Sequence, residues 1–382
     1  MQFEFATSQR ILFGRGAVDQ LPGLADDYGR RILLVTGRHT SNIPFQTLFP
    51  EDKGWQIVSI VVQGEPDLNF IQAKLVEIAG FKPNVVVSIG GGSVLDSGKA
   101  FAALYTNPGE MLGYIEVAGK GQPLQKDPLP HIAVPTTAGT GSEVTRNAVL
   151  TIPAMKTKAS LRSINMLPSV ALVDPDLTRT LPLNVTASTG MDALTQVIEP
   201  LISRRANPMT DAFCLQAIPL IMQSLPLLMR TPEDIVLREQ MSLASLYGGL
   251  ALANSGLGVI HGFAAAIGGM YSGIGHANIC AAILPAGFKA NRLACQRSSE
   301  NQSIVGRMEA ISLLLTNGAS KYGEEALRSL ANRLQCPGLA ALGVRLDDAD
   351  EIIMHVMQSS SYKGNPIELS PEALMLILSE SM

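Results

Sequence analysis

The first half of the chain alternates short, continuously apolar runs with stretches of helical character. The runs are rich in β-branched residues and lie at residues 32–36, 57–62, 85–89, 132–134 and 170–173. Because they are apolar at consecutive positions rather than at alternate ones, they predict strands of a parallel sheet that is covered on both faces. The pattern therefore predicts an α/β domain over residues 1–180.

Beyond residue 181 the strand pattern gives way to long helical stretches. These stretches lie at residues 185–200, 211–228, 232–254 and 302–334, with Gly or Pro between them. A Pro and an Asn at residues 182 and 184 act as helix breakers at the start of this half. We therefore expect an all-helical second domain over residues 181–382.

Composition and charge narrow the class of protein. The chain has 382 residues, of which 46% are hydrophobic and 16% are charged, and its formal net charge is -4. This is the composition of an ordinary globular protein, with no basic surplus for a nucleic-acid partner. The N-terminus shows no signal-peptide pattern, and no uninterrupted apolar run approaches the length of a membrane span. We expect a cytoplasmic protein with no membrane partner.

The four cysteines give no sign of a metal or redox motif. They form no CxxC pair, and we see none at a ligand-like spacing from a histidine. Reduced, mostly buried thiols are the expectation for such residues. The four are Cys214, Cys280, Cys295 and Cys336.

A glycine turn follows the apolar run at residues 85–89. Gly90, Gly91, Gly92 and Ser93 lead directly into a stretch of helical character. Glycines let the backbone approach a ligand closely, and a helix N-terminus offers unpaired N–H groups and a positive dipole end to a phosphate. A tight strand-to-helix turn without a ligand would give the same pattern, and the spacing is not GxGxxG.

A second loop of small residues shifts the balance toward a ligand. It follows the apolar run at residues 132–134 and contains Thr136, Thr137, Thr140 and Ser142. Hydroxyl groups and glycine backbone at these positions can surround a phosphate or a ribose. Two such loops after two parallel strands favour a dinucleotide.

Candidate metal ligands lie in the second half of the chain. His261 and His276 share a glycine-rich segment, and Asp192 and Gln196 stand four residues apart, on one face of a predicted helix. One carboxylate and two imidazoles suit a first-row divalent ion, with the neutral amide oxygen of Gln196 as a fourth group. Asp192 could equally be a helix N-terminal charge stabilised by the dipole. The spacing alone leaves both interpretations open.

These motifs together resemble those of the iron-containing (group III) alcohol dehydrogenases. The matching elements are GGGSxxDxxK at residues 90–99, PTTAGTGSE at 135–143, TGMDALT at 189–195, and His261 followed by His276. The resemblance extends over almost the whole chain. It implies a dinucleotide-binding α/β domain followed by an all-helical domain, as in dehydroquinate synthase, with the metal and the nicotinamide in the cleft between them.

The resemblance also implies which residues form the site. Gly91, Gly92 and Ser93 would hold the pyrophosphate, and Lys158 would reach the nicotinamide ribose. The metal would be held by Asp192, Gln196, His261 and His276, and the first, third and fourth of these would be the catalytic residues. The full set of expected cofactor-binding residues is Gly37, Arg38, Gly90, Gly91, Gly92, Ser93, Asp96, Thr136, Thr137, Thr140, Ser142 and Lys158.

The sequence departs from the family pattern at three places. Gln196 stands where a histidine is usual, and a neutral amide should bind iron or zinc more weakly. Ala265 stands where the family often carries another histidine, so a proton would have to come from water, a ribose hydroxyl or another side chain. Gly37 and Arg38 replace an acidic residue that would repel a 2′-phosphate, which places NADP slightly ahead of NAD.

We therefore expect an oxidoreductase that transfers a hydride between NAD(P)H and a small alcohol, aldehyde or ketone. Fe²⁺ or Zn²⁺ would act as a Lewis acid, and the enzyme would be a homodimer. One alternative is a metal-independent enzyme resembling the maleylacetate reductases, which Gln196 and Ala265 favour and Asp192 disfavours. The other is a nucleotide-binding protein without catalysis.

Overall fold

The computed structural model describes residues 2–38 and 45–382. The chain divides into two units. One, the sheet unit, consists of Ala6–Thr137 and Gly141–Thr178. The other, the helical unit, consists of Met1–Phe5, Ala138–Thr140 and Arg179–Met382. The loop predicted to bind the cofactor is thus divided, because Ala138–Thr140 packs with the helices while its flanks pack with the sheet.

The sheet unit is built on six parallel strands in the order β1-β8-β5-β4-β2-β3, beside a two-stranded antiparallel hairpin. The strands are β1 (Arg10–Phe13), β2 (Arg31–Gly37), β3 (Gln56–Val62), β4 (Val85–Gly90), β5 (His131–Pro135), β6 (Asn147–Ile152), β7 (Thr157–Arg162) and β8 (Val170–Val173), and β6 and β7 form the hairpin. All five predicted strands are present, which confirms the predicted parallel sheet.

Helices cover both faces of this sheet. They are α1 (Leu21–Asp26), α2 (Phe45–Leu48), α3 (Leu68–Ile78) and α4 (Gly92–Thr106). Successive residues of a strand point to opposite faces, so Leu33 packs in the core with α3 and α4 while Leu34 packs in the core with α1. Both cores exclude water, which is why these strands are apolar at consecutive positions.

Every regular element of residues 179–382 is helical, which confirms the predicted helical second domain. The helices are α5 (Leu183–Ile202), α6 (Pro208–Leu228), α7 (Ile235–Ser255), α8 (Val259–Met270), α9 (His276–Cys295), α10 (Gln302–Leu315), α11 (Glu324–Arg333), α12 (Ala349–Gln358) and α13 (Pro371–Glu380). They share one apolar core. Gly256, with φ of 70°, separates α7 from α8 in a backbone conformation that favours glycine.

Two features of the fold differ from the sequence prediction. Residues 302–334 are not one helical stretch, because α10 ends at Leu315 and α11 begins at Glu324. Asn317 and Gly318 adopt left-handed conformations after α10, and such residues terminate helices. The strands β1, β6 and β7 were also missed, and β7 (Thr157–Arg162) is too polar to resemble a buried strand.

Helix α6 is long and apolar enough to cross a membrane by length and composition alone. One or two such helices are weak grounds for a membrane protein, since buried helices share these properties. Here Cys214, Ile218, Ile221 and Leu225 of α6 are buried in the core of the helical unit. Packing within the protein therefore accounts for these buried apolar residues of α6.

Candidate active site

The glycine turn lies at the carboxyl end of β4, in the middle of the sheet. From β2 the chain continues outward to β3, then returns to place β4 on the other side of β2. Ligands of open α/β sheets bind outside the carboxyl ends of the strands at such a reversal of order. Gly37 at the end of β2 and Gly90 at the end of β4 flank this point. The fold thus places the glycine turn where a nucleotide is expected.

The first turn of α4 is suited to an anion. Gly91 is the N-cap residue of α4, and a glycine has no side chain with which to cap the helix. The first N–H groups of a helix lack partners within the helix and carry the positive end of its dipole. The backbone of Gly92 and Ser93 therefore presents donors of the kind that hold a pyrophosphate.

The second loop lies against the glycine turn. Pro135 pairs with Gly90 in neighbouring strands, and the N–H of Thr136 donates to the carbonyl of Gly90 at 2.9 Å. A Cβ atom on Gly91 would lie only 3.2 Å from the methyl carbon of Thr137. The lack of a side chain at Gly91 thus allows the two loops to meet.

A buried ion pair between Lys99 and Asp96 stabilises the second loop through Ser142. The ammonium group of Lys99 on α4 is fully buried, donates to the Ser142 hydroxyl at 2.8 Å and lies 2.9 Å from Asp96 Oδ1. Burial lowers the pKa of Lys99, while the charge of Asp96 opposes this effect. Asp96 also accepts hydrogen bonds from the Ser142 hydroxyl at 2.6 Å and the Val149 N–H at 2.9 Å. Both oxygens of Asp96 therefore accept hydrogen bonds from the protein, and the carboxylate holds the second loop in place.

Two other expected cofactor residues contact acidic or amide groups of the sheet unit. Arg38, exposed after β2, donates to the side-chain oxygen of Gln63. Lys158 on β7 pairs with the carboxylate of Glu65. Both cations are thus held by partners on the β3 side of the sheet, near the carboxyl ends of its strands.

In the helical unit, four potential metal ligands converge. Asp192 on α5, His261 on α8, and His276 and Cys280 on α9 each have a ligand atom within 4.8 Å of all the others. His261 Nε2 lies 3.5 Å and His276 Nε2 lies 3.9 Å from Asp192 Oδ1, and Cys280 Sγ lies 3.6 Å from His276 Nε2. The structure thus brings together three of the four expected ligands and adds a cysteine.

The polar atoms of this cluster fit a divalent cation. Both carboxylate oxygens of Asp192 and Nε2 of His261 are buried without a hydrogen-bond partner among the described residues. Burial alone would raise the pKa of Asp192, yet the two imidazoles hold it below its usual value. Buried polar atoms without partners are costly, and a metal ion would bind all three. The donor set, one carboxylate, two imidazoles and one sulfur, is that of zinc and related ions.

Glu199 fixes the orientation of His261. Its Oε2 lies 2.7 Å from His261 Nδ1, and its Oε1 accepts a hydrogen bond from the Ile260 N–H at 2.7 Å. The carboxylate thus caps the N-terminus of α8 and contacts the ring nitrogen that faces away from Asp192. A carboxylate on the outer nitrogen of a histidine is the usual support of a metal-binding imidazole.

Gln196 is placed differently from the expected ligands. It lies one turn after Asp192 on α5, and its amide nitrogen donates to the carbonyls of Gly139 at 3.1 Å and Thr140 at 2.9 Å. Asp192 itself is the tenth residue of α5 and is fully buried, so it is not a charge at the helix N-terminus. The alternative interpretation of Asp192 is therefore wrong.

Sequence reasoning missed Cys280 and Glu199. The statement that no cysteine has a ligand-like spacing from a histidine is wrong, because Cys280 stands four residues after His276 and shares its helix face. Glu199 follows Asp192 by seven residues, which is two helical turns, and the same periodicity could have revealed it. Both signals depend on first knowing that α5 and α9 carry ligands.

Comparisons with known proteins identify the family of this chain. Residues 8–175 match the model of the family "Iron-containing alcohol dehydrogenase", and residues 186–382 match "Fe-containing alcohol dehydrogenase family, C-terminal". Alcohol dehydrogenase 4 of Saccharomyces cerevisiae (strain YJM789) is 33% identical over 97% of this chain and 96% of its own length. The NAD-dependent methanol dehydrogenase of Bacillus methanolicus is 33% identical over 93% of each chain.

Solved structures lead to the same family. The alcohol dehydrogenase from Oenococcus oeni superposes with a TM-score of 0.90 at 27% identity, covering 100% of each chain. These matches confirm the family and the fold class that the sequence motifs predicted. The chain therefore belongs to the iron-containing alcohol dehydrogenase family, and it is an oxidoreductase that transfers hydride between a nicotinamide cofactor and a small alcohol or carbonyl compound with a divalent metal ion.

Proposed function

We propose that Asp192, His261 and His276 hold the catalytic metal ion and that the enzyme interconverts a short alcohol and its aldehyde or ketone. The observation that carries this proposal is the convergence of unpartnered buried atoms of Asp192 and His261 next to His276. When bound there, the ion would act as a Lewis acid toward the substrate oxygen. The names of the relatives, an alcohol and a methanol dehydrogenase, support a small substrate.

The chain's own residues orient and shield this chemistry. Glu199 keeps Nδ1 of His261 hydrogen-bonded, so that Nε2 is directed at Asp192. The complete burial of Asp192 excludes water from its oxygens and strengthens their attraction for a cation. With Ala265 in α8, no imidazole is available at that position for proton transfer, and we assign the proton to water or a cofactor hydroxyl.

We propose that residues 1–180 bind the dinucleotide and that residues 181–382 carry the metal and substrate. Donors at the first turn of α4, in Gly92 and Ser93, would hold the pyrophosphate, and Thr136 and Thr137 would line the adjoining part of the cofactor. Their support is the meeting of the two loops at Gly91. The assignment of Lys158 to the nicotinamide ribose remains a prediction, which exchange of its partner Glu65 would test.

We also propose that the enzyme prefers NADPH to NADH. Arg38 follows directly after β2, where an acidic residue would exclude a 2′-phosphate, and its guanidinium is exposed. An Arg38→Ala variant should lose at least about tenfold in kcat/KM for NADPH, which corresponds to about 1.4 kcal/mol. The value for NADH should change much less. Equal losses for both cofactors would contradict the preference.

Chelation tests the role of the metal. Enzyme dialysed against a chelator should lose NAD(P)H oxidation with a panel of short aldehydes and ketones, and added Zn²⁺ or Fe²⁺ should restore it. An Asp192→Asn variant should lose at least about 100-fold in kcat, because a catalytic metal ligand is removed. Full activity in metal-free protein would contradict the proposal and support a metal-independent reductase. Cofactor binding without any turnover would support a non-catalytic protein.

We place the enzyme in the cytoplasm as a homodimer. All four cysteines are free thiols, as expected in a reducing compartment. Strand β1 lies at the edge of the sheet with Ile11 36% exposed, and an open edge of this kind can pair with another chain. Sedimentation at micromolar concentration should give twice the mass of the chain, and a monomer would refute this assignment.

A further inference from the structure

The sulfur of Cys280 lies as close to the other ligand atoms of the metal cluster as the expected ligand atoms lie to one another. It lies one turn after His276 on α9, is buried, and its sulfur is 3.6 Å from Nε2 of His276. The sulfur also lies within 4.8 Å of the ligand atoms of Asp192 and His261. Cys280 is therefore one of the four side chains whose ligand atoms converge in this cluster.

Three of the separations between these ligand atoms are close to those of a tetrahedral site. Bonds of roughly 2.0–2.1 Å to nitrogen or oxygen and about 2.3 Å to sulfur, at tetrahedral angles, separate neighbouring ligand atoms by roughly 3.3–3.6 Å. The observed separations are 3.6 Å from Cys280 Sγ to His276 Nε2, and 3.5 Å and 3.9 Å from Asp192 Oδ1 to the imidazoles of His261 and His276. These three separations are within a few tenths of an ångström of tetrahedral values, and the other ligand atoms lie within 4.8 Å of one another.

The amide nitrogen of Gln196, the expected fourth ligand, is hydrogen-bonded to the backbone. Its amide nitrogen donates to two backbone carbonyls, of Gly139 and Thr140, and a Cβ on Gly248 would lie 3.5 Å from the same nitrogen. The side-chain oxygen is the only ligand atom that Gln196 can offer, and a neutral amide oxygen is a weaker ligand for zinc than a thiolate. Gln196 thus fastens the segment 138–140 to α5, and a histidine at this position could not donate twice in the same way.

We propose that Cys280, as a thiolate, is the fourth protein ligand and makes the site selective for zinc over iron. On binding, the thiol releases its proton to solvent and the sulfur donates an electron pair to the ion, with no change of oxidation state. Thiolate is a softer ligand than imidazole or carboxylate and favours zinc, which already exceeds Fe²⁺ in general affinity. The proposal rests on the proposed metal site of Asp192, His261 and His276.

Cobalt substitution of the whole enzyme tests this ligand directly. Cobalt(II) bound to wild-type protein should show a near-ultraviolet thiolate-to-metal charge-transfer band. Cys280→Ala should abolish the band and weaken Zn²⁺ binding by at least about 100-fold, which exceeds the roughly 10- to 100-fold loss typical for an outer partner. Its matched control is Cys214→Ala, since Cys214 is also a buried free cysteine but lies in α6 away from the cluster. This control should keep both properties.

X-ray absorption of zinc-loaded wild-type enzyme keeps the test decisive if Cys280→Ala fails to fold. One sulfur at about 2.3 Å from zinc would support the proposal. A zinc shell of only nitrogen and oxygen, or cobalt bound without the charge-transfer band, would overturn it. Wild-type protein that binds Fe²⁺ as tightly as Zn²⁺ would overturn the selectivity.

Metal binding and turnover separate this proposal from the proposed function. A sulfur-ligated ion in a protein that turns over no aldehyde or ketone would refute the proposed function and leave the ligand assignment intact. An active metalloenzyme without sulfur ligation would refute the assignment of Cys280 as a ligand and leave the proposed function intact. Gln196→Met, which removes the hydrogen bonds to segment 138–140 but keeps the side-chain length, should retain the charge-transfer band; loss of the band would overturn the division of roles between Gln196 and Cys280.

Discussion

Nδ1 of His261 lies 2.7 Å from Oε2 of Glu199, deep in the helical unit. The same carboxylate caps the N-terminus of α8, so one side chain from α5 fixes both the helix that carries His261 and the rotation of its ring. Burial alone would lower the pKa of His261, but the acidic groups Cys280, Asp192 and Glu199 raise it well above its ordinary value. The site therefore attracts positive charge.

Exchange of Glu199 for glutamine should weaken the metal site without removing a ligand. The amide keeps the size of the side chain but loses the negative charge that holds the Nδ1 proton of His261. We expect Zn²⁺ affinity to fall roughly 10- to 100-fold, the usual cost of losing an outer-shell partner. Competition against a chromophoric chelator measures this. A Glu309→Gln variant, whose carboxylate faces solvent near Lys321, is the control and should bind zinc like the wild type. Unchanged affinity in Glu199→Gln would contradict the positioning role.

The sequence could predict the sheet and the glycine turn because both depend on local patterns. Consecutive apolar residues identify strands that are buried on both faces, and Gly90 to Ser93 follow such a strand directly. The metal cluster depends instead on contacts between distant residues, such as Cys280 with Asp192, which no local pattern contains. Hairpin strands such as β7 were missed because half of their residues face solvent or polar partners. Gln196 was predicted to be a metal ligand. Its amide nitrogen contacts segment 138–140, which is distant in sequence, so no local pattern could reveal this contact.

Two buried groups of the sheet unit should give stability an unusual dependence on pH. Burial lowers the pKa of His131, beside Ser88, from 6.5 to about 3, and burial raises the pKa of Glu143 from 4.5 to about 7. As pH falls, His131 is protonated in the unfolded chain before it is protonated in the folded protein. The contribution of His131 to the free energy of unfolding is therefore complete above pH 6.5 and is lost as pH falls toward 3. Glu143 acts in the opposite sense, because its contribution is complete below pH 4.5 and is lost as pH rises toward 7.

A His131→Gln variant separates the two effects. The free-energy difference of unfolding between wild type and variant should decrease as pH falls from 6.5, with a slope approaching about 1.4 kcal/mol per pH unit, the limit for one proton. Urea unfolding at a series of pH values between 7 and 4 measures it. A difference that does not vary with pH would show that His131 is not held neutral.

The ion pair between Lys99 and Asp96 should be essential to the structure of the second loop, which contains Ser142. Lys99→Met would leave Asp96 without its buried cation and Thr145 without a donor at 2.8 Å. Breaking a buried ion pair lowers the free energy of unfolding by roughly 3–5 kcal/mol. The affinity for NAD(P)H should fall as well, because Ser142 loses its hydrogen bond from Lys99. Lys74→Met removes a pair with a mostly exposed glutamate and should cost less than about 1 kcal/mol. Unfolding midpoints and cofactor titrations measure both, and similar losses in the two variants would refute the special role of Lys99.

Gly98 should tolerate no side chain, although it lies in the interior of α4, where alanine is normally the better helix former. A Cβ atom at this position would lie 2.7 Å from Ser88 Cβ and 2.7 Å from Nε2 of His131, and neither β4 nor β5 can retreat within the sheet. We expect Gly98→Ala to lower the free energy of unfolding by about 1–3 kcal/mol through overpacking. Gly23→Ala, in α1 with no atom of the described residues within 4 Å of the added Cβ, should be neutral or stabilise by up to about 1 kcal/mol. Chemical unfolding of the two variants beside the wild type decides the matter: if Gly98→Ala is as stable as Gly23→Ala, α4 does not pack on the sheet as closely as these distances require.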